Sequence, residues 1–530
     1  MNAGSKILPG RPQRLLRDGL IASVERHPEK DAVIVEGKSY TYAELYDAST
    51  RLANALIERG VQRGDRVAIY MDNTWPCIVS IYAVLLSGGV FFTINPQTKA
   101  DKLEFVLNNS ESKLLLTDSL LAKVYKQSLI NTPLVKNVIS SGKKLDDVEL
   151  KDISIENFDE VLSNNEPIDS PTDVIPNDLA ALIYTSGSTG FPKGVMQTHQ
   201  SMVFAAWSLI EYQRLSENDR ILLVLPIAFD YGLYQLLMTI KLGATLVVER
   251  SFTFPVKIYQ RMEEQSVTVF PAVPTIFAMM ISAHKKKKLC FPSITRITNT
   301  AAALPADFIP YLQEIFPNAL IYKMYGLTEC KRVCYLEPEL IDINPRSVGR
   351  AIPGTEVYLL SPEGKPVPAG EPGILYVRGP HIMAGYWKDP ERSEKMLKAG
   401  DIPGERVLCT HDLFKMDEEG LLYFVGRSDD IIKTRGEKVS PVEVENILHG
   451  IEGIKEVGII GIEDDILGQA IKAFVALESG SDLNDKKIKK YCLSHLENFM
   501  VPNEIIFIDK LPKTSNGKID KKELQDMVTT

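Results

Sequence analysis

The segment Tyr184-Thr-Ser-Gly-Ser-Thr-Gly-Phe-Pro-Lys-Gly194 says most about the fold and chemistry of this chain. It follows an apolar run at residues 179–183 and contains four hydroxyl side chains besides the tyrosine, three glycines and one lysine. Glycines let backbone amides close on a phosphate group, hydroxyls add hydrogen-bond donors, and a lysine supplies a positive point charge. No G-x-x-x-x-G-K-[ST] pattern can be drawn through the segment, so it is not a Walker loop. It predicts a phosphate-binding loop of another kind, placed after a strand.

Helices and short apolar strands alternate along most of the chain. Thr41-Tyr-Ala-Glu44 is a capping box, which predicts a helix that ends at Gly60, and residues 66–71 predict the strand that follows. Residues 78–94 are apolar, but Ser87-Gly-Gly89 interrupts them and they fall short of the roughly 20 residues of a membrane span. We therefore predict a buried helix and a strand there. The alternation as a whole predicts an α/β fold with largely parallel sheets.

The pattern changes near Gly426-Arg-Ser-Asp-Asp430. Beyond this polar stretch, Ser440-Pro-Val-Glu443 is a second capping box, and apolar runs at residues 457–462 and 470–477 predict strands. We expect two unequal domains in place of the three or so that a length of 530 residues suggests. Residues 1–428 would form a large α/β N-terminal domain with mainly parallel sheets, and residues 429–530 a small mobile α+β C-terminal domain.

Composition excludes several classes of protein. The net charge of −9 argues against nonspecific nucleic-acid binding, and the run Lys285–Lys288 is interpreted as a solvated loop. Six scattered cysteines without a C-x-x-C pair predict reduced thiols in a cytoplasmic protein. Seven histidines without zinc spacing predict no structural metal, and the amino terminus has no apolar signal core. We expect no membrane and no nucleic-acid partner.

The glycine-rich segment resembles the signature of the adenylate-forming superfamily: acyl-CoA synthetases, luciferases and the adenylation domains of peptide synthetases. Further motifs follow in the family's order: Tyr325-Gly-Leu-Thr-Glu329, Thr410-His-Asp412, Gly426-Arg-Ser-Asp429 and Asn516-Gly-Lys518. His411 departs from the pattern, since glycine is usual in that ribose motif. The resemblance runs over residues 41–523, which is nearly the whole chain.

The resemblance implies an AMP-forming ligase that uses ATP and Mg²⁺. Glu329 would hold Mg²⁺, Thr328 would contact the α-phosphate, and Lys518 would bridge the carboxylate and α-phosphate oxygens, where negative charge accumulates. Asp412 and Arg427 would hold the ribose. The other ATP-binding residues implied are Thr185, Ser186, Gly187, Ser188, Thr189, Gly190 and Lys193 at the phosphates, and Tyr325, Gly326 and Ala302 around the adenine.

The resemblance also implies a second step after adenylation. Asp429 would be the hinge on which the small domain swings, and Lys433 would then face the site as a catalytic residue. A thiol would take the acyl group from AMP in this second conformation. No carrier domain follows Lys518 in this sequence, so we expect the thiol to come from a separate carrier protein with a phosphopantetheine arm, or from coenzyme A.

The acid is suggested by Leu225-Pro-Ile-Ala-Phe-Asp-Tyr-Gly232. Its Phe-Asp pair resembles amino-acid adenylation domains, in which the aspartate pairs with the substrate's α-ammonium group; fatty and aryl synthetases often carry histidine here. We expect Asp230 to do the same, and Lys331 and Arg332 to turn away from the pocket. The other candidate pocket residues are mostly apolar or aromatic: Phe204, Trp207, Tyr231, Tyr234, Val273, Met324, Cys330 and Val333.

The overall wording resembles free-standing prolyl-adenylating enzymes, which makes L-proline the leading substrate. The main alternative is an acyl-CoA or acyl-carrier-protein ligase whose acid has no amine. Two other classes stay open: a nucleotide-binding regulatory protein without turnover, and a kinase or ATPase, which would release ADP rather than AMP and pyrophosphate.

Overall fold

The computed structural model describes residues 13–143, 152–185, 192–427, 430–434, 437–464, 467–514 and 518–529. Several residues singled out from the sequence lie outside these ranges: Ser186, Gly187, Ser188, Thr189, Gly190 and Asp429. The remaining site residues can be placed.

The described strands, in chain order, are β1 Asp31–Val35, β2 Lys38–Thr41, β3 Arg66–Tyr70, β4 Val90–Ile94, β5 Leu114–Asp118, β6 Asn137–Ser141, β7 Ser154–Asn157, β8 Leu179–Thr185, β9 Lys193–Thr198, β10 Arg220–Leu223, β11 Thr245–Val248, β12 Val269–Ala272, β13 Arg296–Asn299, β14 Leu320–Tyr325, β15 Cys334–Leu336, β16 Arg350–Ala351, β17 Glu356–Leu360, β18 Gly373–Arg378, β19 Gly385–Tyr386, β20 Leu397–Ala399, β21 Arg406–Met416, β22 Leu422–Arg427, β23 Ile432–Thr434, β24 Glu437–Val439, β25 Ile454–Asp464, β26 Gly468–Leu477 and β27 Glu504–Phe507.

The described α-helices are α1 Leu16–Arg26, α2 Tyr42–Glu58, α3 Trp75–Leu86, α4 Ala100–Ser110, α5 Ala122–Leu129, α6 Phe158–Asn164, α7 His199–Tyr212, α8 Asp230–Leu242, α9 Pro255–Glu264, α10 Pro274–Lys286, α11 Ile309–Ile315, α12 Pro390–Met396, α13 Pro441–His449, α14 Asp485–His495 and α15 Lys521–Thr529. Short 3₁₀ turns lie at Ser119–Leu121, Ala306–Phe308 and Pro338–Leu340.

Two mainly parallel sheets form the centre of the large domain. One has the order β16-β15-β14-β13-β12-β10-β11-β1-β2, and its strands from β14 to β1 run parallel. The other has the order β19-β9-β8-β4-β3-β5-β6-β7, parallel from β8 to β7. Helices such as α3, all of whose residues from Cys77 to Leu86 are buried, pack against the sheets. This confirms the predicted α/β fold class.

Local sequence signals explain where the predicted helices begin. Thr41 Oγ1 accepts from the amide of Glu44 at 3.1 Å, and the Glu44 carboxylate accepts from the amide of Thr41 at 2.7 Å, so the capping box opens α2 as predicted. Ser440 likewise caps α13 through the amide of Glu443, at 3.3 Å. Residues 78–94 form the predicted helix and strand, α3 and β4. Within the described ranges, no helix has the length and apolarity needed to cross a membrane.

The carboxyl-terminal part has a core of its own, consistent with a smaller α+β domain. Strands β23 to β27 form one sheet, with β25 and β26 as a long antiparallel pair. Its apolar core joins residues such as Val444, Ile459, Val475 and Ile488. Before it along the chain lies an antiparallel sheet of five strands, with the order β17-β18-β21-β20 and with β22 paired to β21. All four lysines of the run at residues 285–288 are exposed, as expected, but only the last two lie in a loop, because Lys285 and Lys286 end α10; Lys288 pairs with Glu314 at 2.6 Å.

Candidate active site

The candidate site lies where strands of the two parallel sheets end. β8 ends at Thr185, β13 at Asn299 and β14 at Tyr325. Carboxyl ends of parallel strands are the usual place for ligands in open α/β sheets. Thr185 pairs with Lys193 in the antiparallel register of β8 and β9, so both ends of the glycine-rich segment are neighbours. The Thr185 hydroxyl is buried and makes no hydrogen bond within the described ranges, which suits a donor awaiting a ligand.

Lys193, Glu329 and Tyr386 form a tight polar cluster. The Lys193 ammonium lies 3.0 Å from Oε1 of Glu329 and 2.8 Å from the hydroxyl of Tyr386. The Tyr386 hydroxyl donates to the same Oε1 at 2.5 Å. Burial acts to raise the pKa of Glu329, but Lys193 and the hydrogen bond from Tyr386 oppose it, and the net pKa is lowered. Glu329 is therefore held as a carboxylate.

The donor set suits Mg²⁺ with a nucleotide. Mg²⁺ in phosphate-transfer sites is held by one or two carboxylates plus phosphate oxygens and water, and Glu329 supplies one buried carboxylate. Within the described ranges, no group of three His, Cys, Asp or Glu side chains makes a self-sufficient metal site. Lys193 beside the carboxylate supplies the positive charge that phosphate oxygens require.

A second cluster joins Tyr325 at the end of β14 to β21 and β22. The Tyr325 hydroxyl donates to Asp412, and Arg427 donates to the other oxygen of that carboxylate at 3.2 Å. The ring of Tyr325 packs edge-on against Phe414, with centroids 4.8 Å apart. Asp412 is buried, whereas Ala302 is exposed and follows a residue with a left-handed φ of 75°. The arrangement fixes Tyr325 and Asp412 in place before any nucleotide binds.

Gly326 allows the turn that follows Tyr325. A Cβ atom at this position would lie 2.2 Å from the carbonyl oxygen of Lys331 and 2.8 Å from Cα of Arg332. Side chains do not fit at such distances, so only glycine lets the chain fold back on itself here. Thr328 and Glu329 lie in this turn.

His411 occupies the glycine position of the ribose motif with φ of 58°, a left-handed conformation that glycine adopts without strain. Its ring lies 3.9 Å from the Cys409 sulfur and 3.3 Å from the Lys395 carbonyl. The amide of Asp412 still donates to the Thr410 hydroxyl at 3.1 Å, so the backbone geometry of the motif persists despite the histidine.

The two lysines of the small domain differ in position. Partial burial of its ammonium and the charge of Arg427 lower the pKa of Lys518, and the charges of Asp412 and Glu329 partly oppose this, while the residue as a whole is exposed. Lys433 is exposed on β23, and its amide donates to Gln469 at 2.8 Å within the small domain. Charged residues of both clusters thus act on the Lys518 ammonium, whereas the described contact of Lys433 lies within the small domain.

The expectation for Arg332 is wrong. Its guanidinium turns inward and donates to Oδ2 of Asp230 at 3.1 Å, with only 4% of its side chain exposed. It also lies 4.9 Å from the ring centroid of Tyr231. Burial raises the pKa of Asp230, with Arg332 as the largest opposing influence. A buried carboxylate beside aromatic rings requires a cation, and Arg332 supplies it.

Lys331 also turns inward, contrary to expectation. It has a left-handed φ of 67°, and its side chain is fully buried. The ammonium donates to the Ser201 hydroxyl at 3.0 Å and to the His381 carbonyl at 2.6 Å. Burial lowers the pKa of Lys331 to about 7, and the charges of Asp230 and Cys330 partly oppose this. The left-handed residue reverses the chain direction, which is why neither cation points to solvent.

The apolar pocket candidates differ in how far they are buried. Tyr231 and Tyr234 on α8 are buried, and Tyr231 donates to the Thr298 carbonyl at 2.7 Å. Met324, Cys330 and Val333 are also buried, and the Tyr212 hydroxyl lies 2.7 Å from the Met324 sulfur. Phe204 and Trp207 on α7 pack together with centroids 5.6 Å apart, and Trp207 is 44% exposed. Val273 is partly buried against the core.

Sequence reasoning missed several residues of the site. Tyr386 contacts both Lys193 and Glu329, yet it comes from β19, which reaches the site by pairing with β9. Gln197 and Ser201 lie just beyond Lys193; Gln197 follows the apolar pair Val195-Met196, and Ser201 precedes the apolar run at residues 202–207, so both are polar residues beside apolar ones. His381, fully buried with neither ring nitrogen bonded in the described structure, had no such local signal.

Comparison with known proteins agrees with this geometry. Residues 20–387 match the AMP-binding enzyme family and residues 443–518 the AMP-binding enzyme C-terminal domain. A long-chain-fatty-acid–CoA ligase of Bacillus subtilis is 30% identical over 98% of this chain and 95% of its own. Gramicidin S synthase 2 of Aneurinibacillus migulanus is 30% identical over 96% of this chain, and the match spans 11% of that protein.

Solved structures show the same architecture. ATP-bound MatB from Rhodopseudomonas palustris has a TM-score of 0.86 at 25% identity, covering 97% of this chain and 99% of its own. The o-succinylbenzoate CoA synthetase of Bacillus subtilis with its acyl-adenylate intermediate has a TM-score of 0.83 at 27% identity, covering 97% and 98%. The chain therefore belongs to the AMP-binding enzymes of the adenylate-forming superfamily, and it is an AMP-forming acid–thiol ligase.

Proposed function

We propose that this enzyme adenylates a small amino acid, with L-proline as the leading candidate, and passes the aminoacyl group to the phosphopantetheine thiol of a separate carrier protein. The observation that carries the proposal is the buried Asp230 carboxylate at the start of α8, held by Arg332 through one oxygen. A substrate ammonium would bind the other oxygen.

Arg332 prepares Asp230 for that role. An unpaired carboxylate at this depth would take up a proton, and the guanidinium opposes this by favouring the charged form. Arg332 occupies Oδ2, and among the described residues Oδ1 has no hydrogen-bond donor. Truncating the carboxylate that pairs with a buried ammonium costs roughly 2–5 kcal/mol, or about 30- to several-thousand-fold in binding.

The chain's own residues support in-line attack on the α-phosphate. Lys193, Thr185 and the glycine-rich segment would hold the β,γ-phosphates, Thr328 the α-phosphate, and Asp412 and Arg427 the ribose. Mg²⁺ at Glu329 would supply charge neutralisation at the phosphates. Lys518 would hold the acid's carboxylate oxygen against the α-phosphorus, so that the new acyl–phosphate bond forms as pyrophosphate departs.

The second step rests on the small domain. We place the domain boundary between residues 428 and 429, with Asp429 as hinge and Lys433 entering the site after adenylation. Support for a carrier partner is the similarity to gramicidin S synthase 2, a much longer protein of which this sequence matches a part. Support for a cytoplasmic location is the set of six unpaired cysteines.

A second candidate is an acyl-CoA ligase for an acid without an amine. The Arg332–Asp230 pair favours it, because the carboxylate already has a counter-ion and a neutral substrate would not leave it unpaired. The similarity to a fatty-acid–CoA ligase supports the same interpretation.

Pyrophosphate exchange with matched acids separates the two candidates. L-Proline and cyclopentanecarboxylic acid have the same ring size and differ chiefly in the amine. We expect exchange with proline, or with another small amino acid in a screen of all twenty, and little with the carbocycle. Asp230→Asn should remove this preference, and Asp342→Asn, an exposed aspartate bonded to Gln313, serves as the control. Equal exchange with the carbocycle, or an unaffected Asp230→Asn enzyme, contradicts amine recognition.

A further inference from the structure

Lys331 has no role in the chemistry above, yet it is the most deeply buried cation near the site. Its aliphatic part and ammonium are enclosed, and the ammonium makes two hydrogen bonds, to the Ser201 hydroxyl on α7 and to the His381 carbonyl in the loop before β19. These two partners belong to different elements, so the one ammonium ties the helix and the loop to the turn that follows Glu329.

The helix side of this network reaches Thr328. The Ser201 hydroxyl lies 3.1 Å from Oε1 of Gln197 and equally 3.1 Å from the Thr198 carbonyl. The Gln197 amide nitrogen donates to the carbonyl of Thr328 at 2.9 Å. Because the Lys331 side chain donates to the Ser201 oxygen, the Ser201 hydroxyl proton can be directed to its two acceptors, and its bond to Oε1 of Gln197 orients the Gln197 side-chain amide toward Thr328.

The loop side reaches Glu329. The amide of Met383 donates to the carbonyl of Glu329 at 2.7 Å, two residues beyond the His381 carbonyl that Lys331 binds. The consecutive carbonyls of Thr328 and Glu329 are thus held by Gln197 and Met383, and Lys331 bonds a near neighbour of each holder, Ser201 in one case and His381 in the other. A methionine in place of Lys331 would fill a similar volume. We therefore expect its effect to come from the lost hydrogen bonds of the ammonium and not from changed packing.

We propose that Lys331 is a positioning residue for nucleotide binding: its ammonium fixes the Thr328–Glu329 backbone through Ser201–Gln197 on one side and through the 381–383 loop on the other. This rests on the roles proposed for Thr328 and Glu329. A shift of about 1 Å in a group that contacts the reacting phosphates is enough to cost roughly a hundredfold in rate.

The test compares Lys331→Met with Lys323→Met. Lys323, on β14, is also buried and donates to a backbone carbonyl, that of Pro345, which is not part of the Thr328–Glu329 segment. For Lys331→Met we expect the KM for Mg·ATP in pyrophosphate exchange, and the Kd for Mg·ATP by equilibrium dialysis, to rise about tenfold to a hundredfold. The KM for the acid should change less than about threefold, and Lys323→Met should leave all three constants near those of the wild type.

A double variant tests the path. Ser201→Ala should reproduce part of the loss, and Lys331→Met/Ser201→Ala should be no worse than Lys331→Met alone, because both act on one network. If Lys331→Met does not fold, the Kd for Mg·ATP is measured for Ser201→Ala and Gln197→Ala instead, and both should show a raised value. A changed acid KM with unchanged Mg·ATP constants overturns the proposal, as do additive losses.

The Glu329→Gln variant tells whether the nucleotide-binding role of Glu329 or only the positioning role of Lys331 is wrong. If Glu329→Gln binds and uses Mg·ATP like the wild type, the proposed role of Glu329 is wrong. If Glu329→Gln is impaired and Lys331→Met is not, only the positioning role is wrong.

Discussion

Two buried ion pairs share the turn after β14, and they are nearly equal in length. Lys193 and Glu329 are 3.0 Å apart, and Arg332 and Asp230 are 3.1 Å apart. Their surroundings differ. Tyr386 bonds to both members of the first pair, and 22% of the Lys193 side chain is exposed. The ring of Tyr231 lies against the guanidinium of the second pair, and only 4% of the Arg332 side chain is exposed.

The difference bears on what each pair does when substrates bind. A nucleotide with its metal offers a new anion to Lys193 and a new cation to Glu329, so the first pair can exchange partners without leaving a bare charge. An amine offers a second cation to Asp230 but nothing to Arg332, so the second pair must stay closed. We infer that the first pair is exchangeable and the second permanent, although the two are nearly equal in length.

The largest expected effect comes from breaking the exchangeable pair. Glu329→Gln keeps the size of the side chain but removes the charge that would hold Mg²⁺ and that now pairs with Lys193. We expect pyrophosphate exchange to fall by about 10²–10³-fold, measured across a range of Mg²⁺ concentrations. Glu314→Gln, an exposed partner of Lys288, is the control. Near-normal exchange at all Mg²⁺ concentrations would contradict the assignment.

The permanent pair should instead reveal itself in stability. Arg332→Met leaves Asp230 buried without its cation, which commonly costs about 3–5 kcal/mol of unfolding free energy. Asp230→Asn/Arg332→Met removes both charges and should recover most of the loss. The urea midpoint of the large domain measures this. Arg350→Met, which breaks a more exposed pair with Glu337, should cost less than about 1 kcal/mol; equal losses for the two arginines would argue against a permanent pair.

The protein should lose stability in acid because His381, in the loop before β19, is buried in its neutral form. Burial, and secondarily Lys331, lower the pKa of His381 to about 3 from an ordinary 6.5. Between pH 6.5 and about pH 3, the unfolded chain therefore binds a proton at His381 that the folded protein does not bind. The stability that is present above pH 6.5 is lost as the pH falls, by up to about 1.4 kcal/mol per pH unit. In urea titrations at pH 7 and 5, His381→Leu should lose less than the wild type; an identical loss would exclude His381 as a source.

Part of the acid sensitivity should survive in that variant. Burial and, to a lesser extent, Arg17 lower the pKa of His199 to about 4, and this histidine is retained in both proteins. Its contribution has the same sign and a slightly narrower window, so the His381→Leu slope is expected to decrease rather than vanish.

The smallest effect on adenylation is expected at Lys433. It is exposed on the small domain, so Lys433→Ala should change pyrophosphate exchange by less than about threefold, as surface substitutions usually do. If Lys433 enters the site for the second step, transfer to a pantetheine thiol should fall much further, measured as thioester formation from preformed adenylate. Equal effects on both steps would remove Lys433 from the second one.

The fold was largely predictable because its signals are local. The capping boxes at Thr41 and Ser440 and the break in apolar character at Ser87 mark element boundaries whatever the tertiary structure. The nucleotide residues were predictable as a set because the motifs occur in the family's order, and the structure pairs Lys193 with Glu329 and Tyr325 with Asp412. Their catalytic roles stay predictions.

The acid pocket was less predictable because its charges depend on tertiary geometry. Arg332 follows Glu329 by three residues, and only the left-handed backbone at Lys331 decides whether it points to solvent or toward Asp230. Tyr386 reaches Lys193 through the pairing of β19 with β9, across a long stretch of sequence. Pairing between strands that are distant in sequence cannot be predicted from the residues that flank Tyr386.

The pairing of Lys193 with Glu329 also bears on how fast a nucleotide is captured. Opposite charges in contact cancel beyond a screening distance of about 8 Å at physiological ionic strength, and the Arg427–Asp412 pair cancels in the same way. On a chain of net charge −9, such a cleft gives little long-range attraction to an anionic nucleotide. We therefore expect the association rate of a nucleotide to lack the strong increase at low salt that electrostatic steering produces.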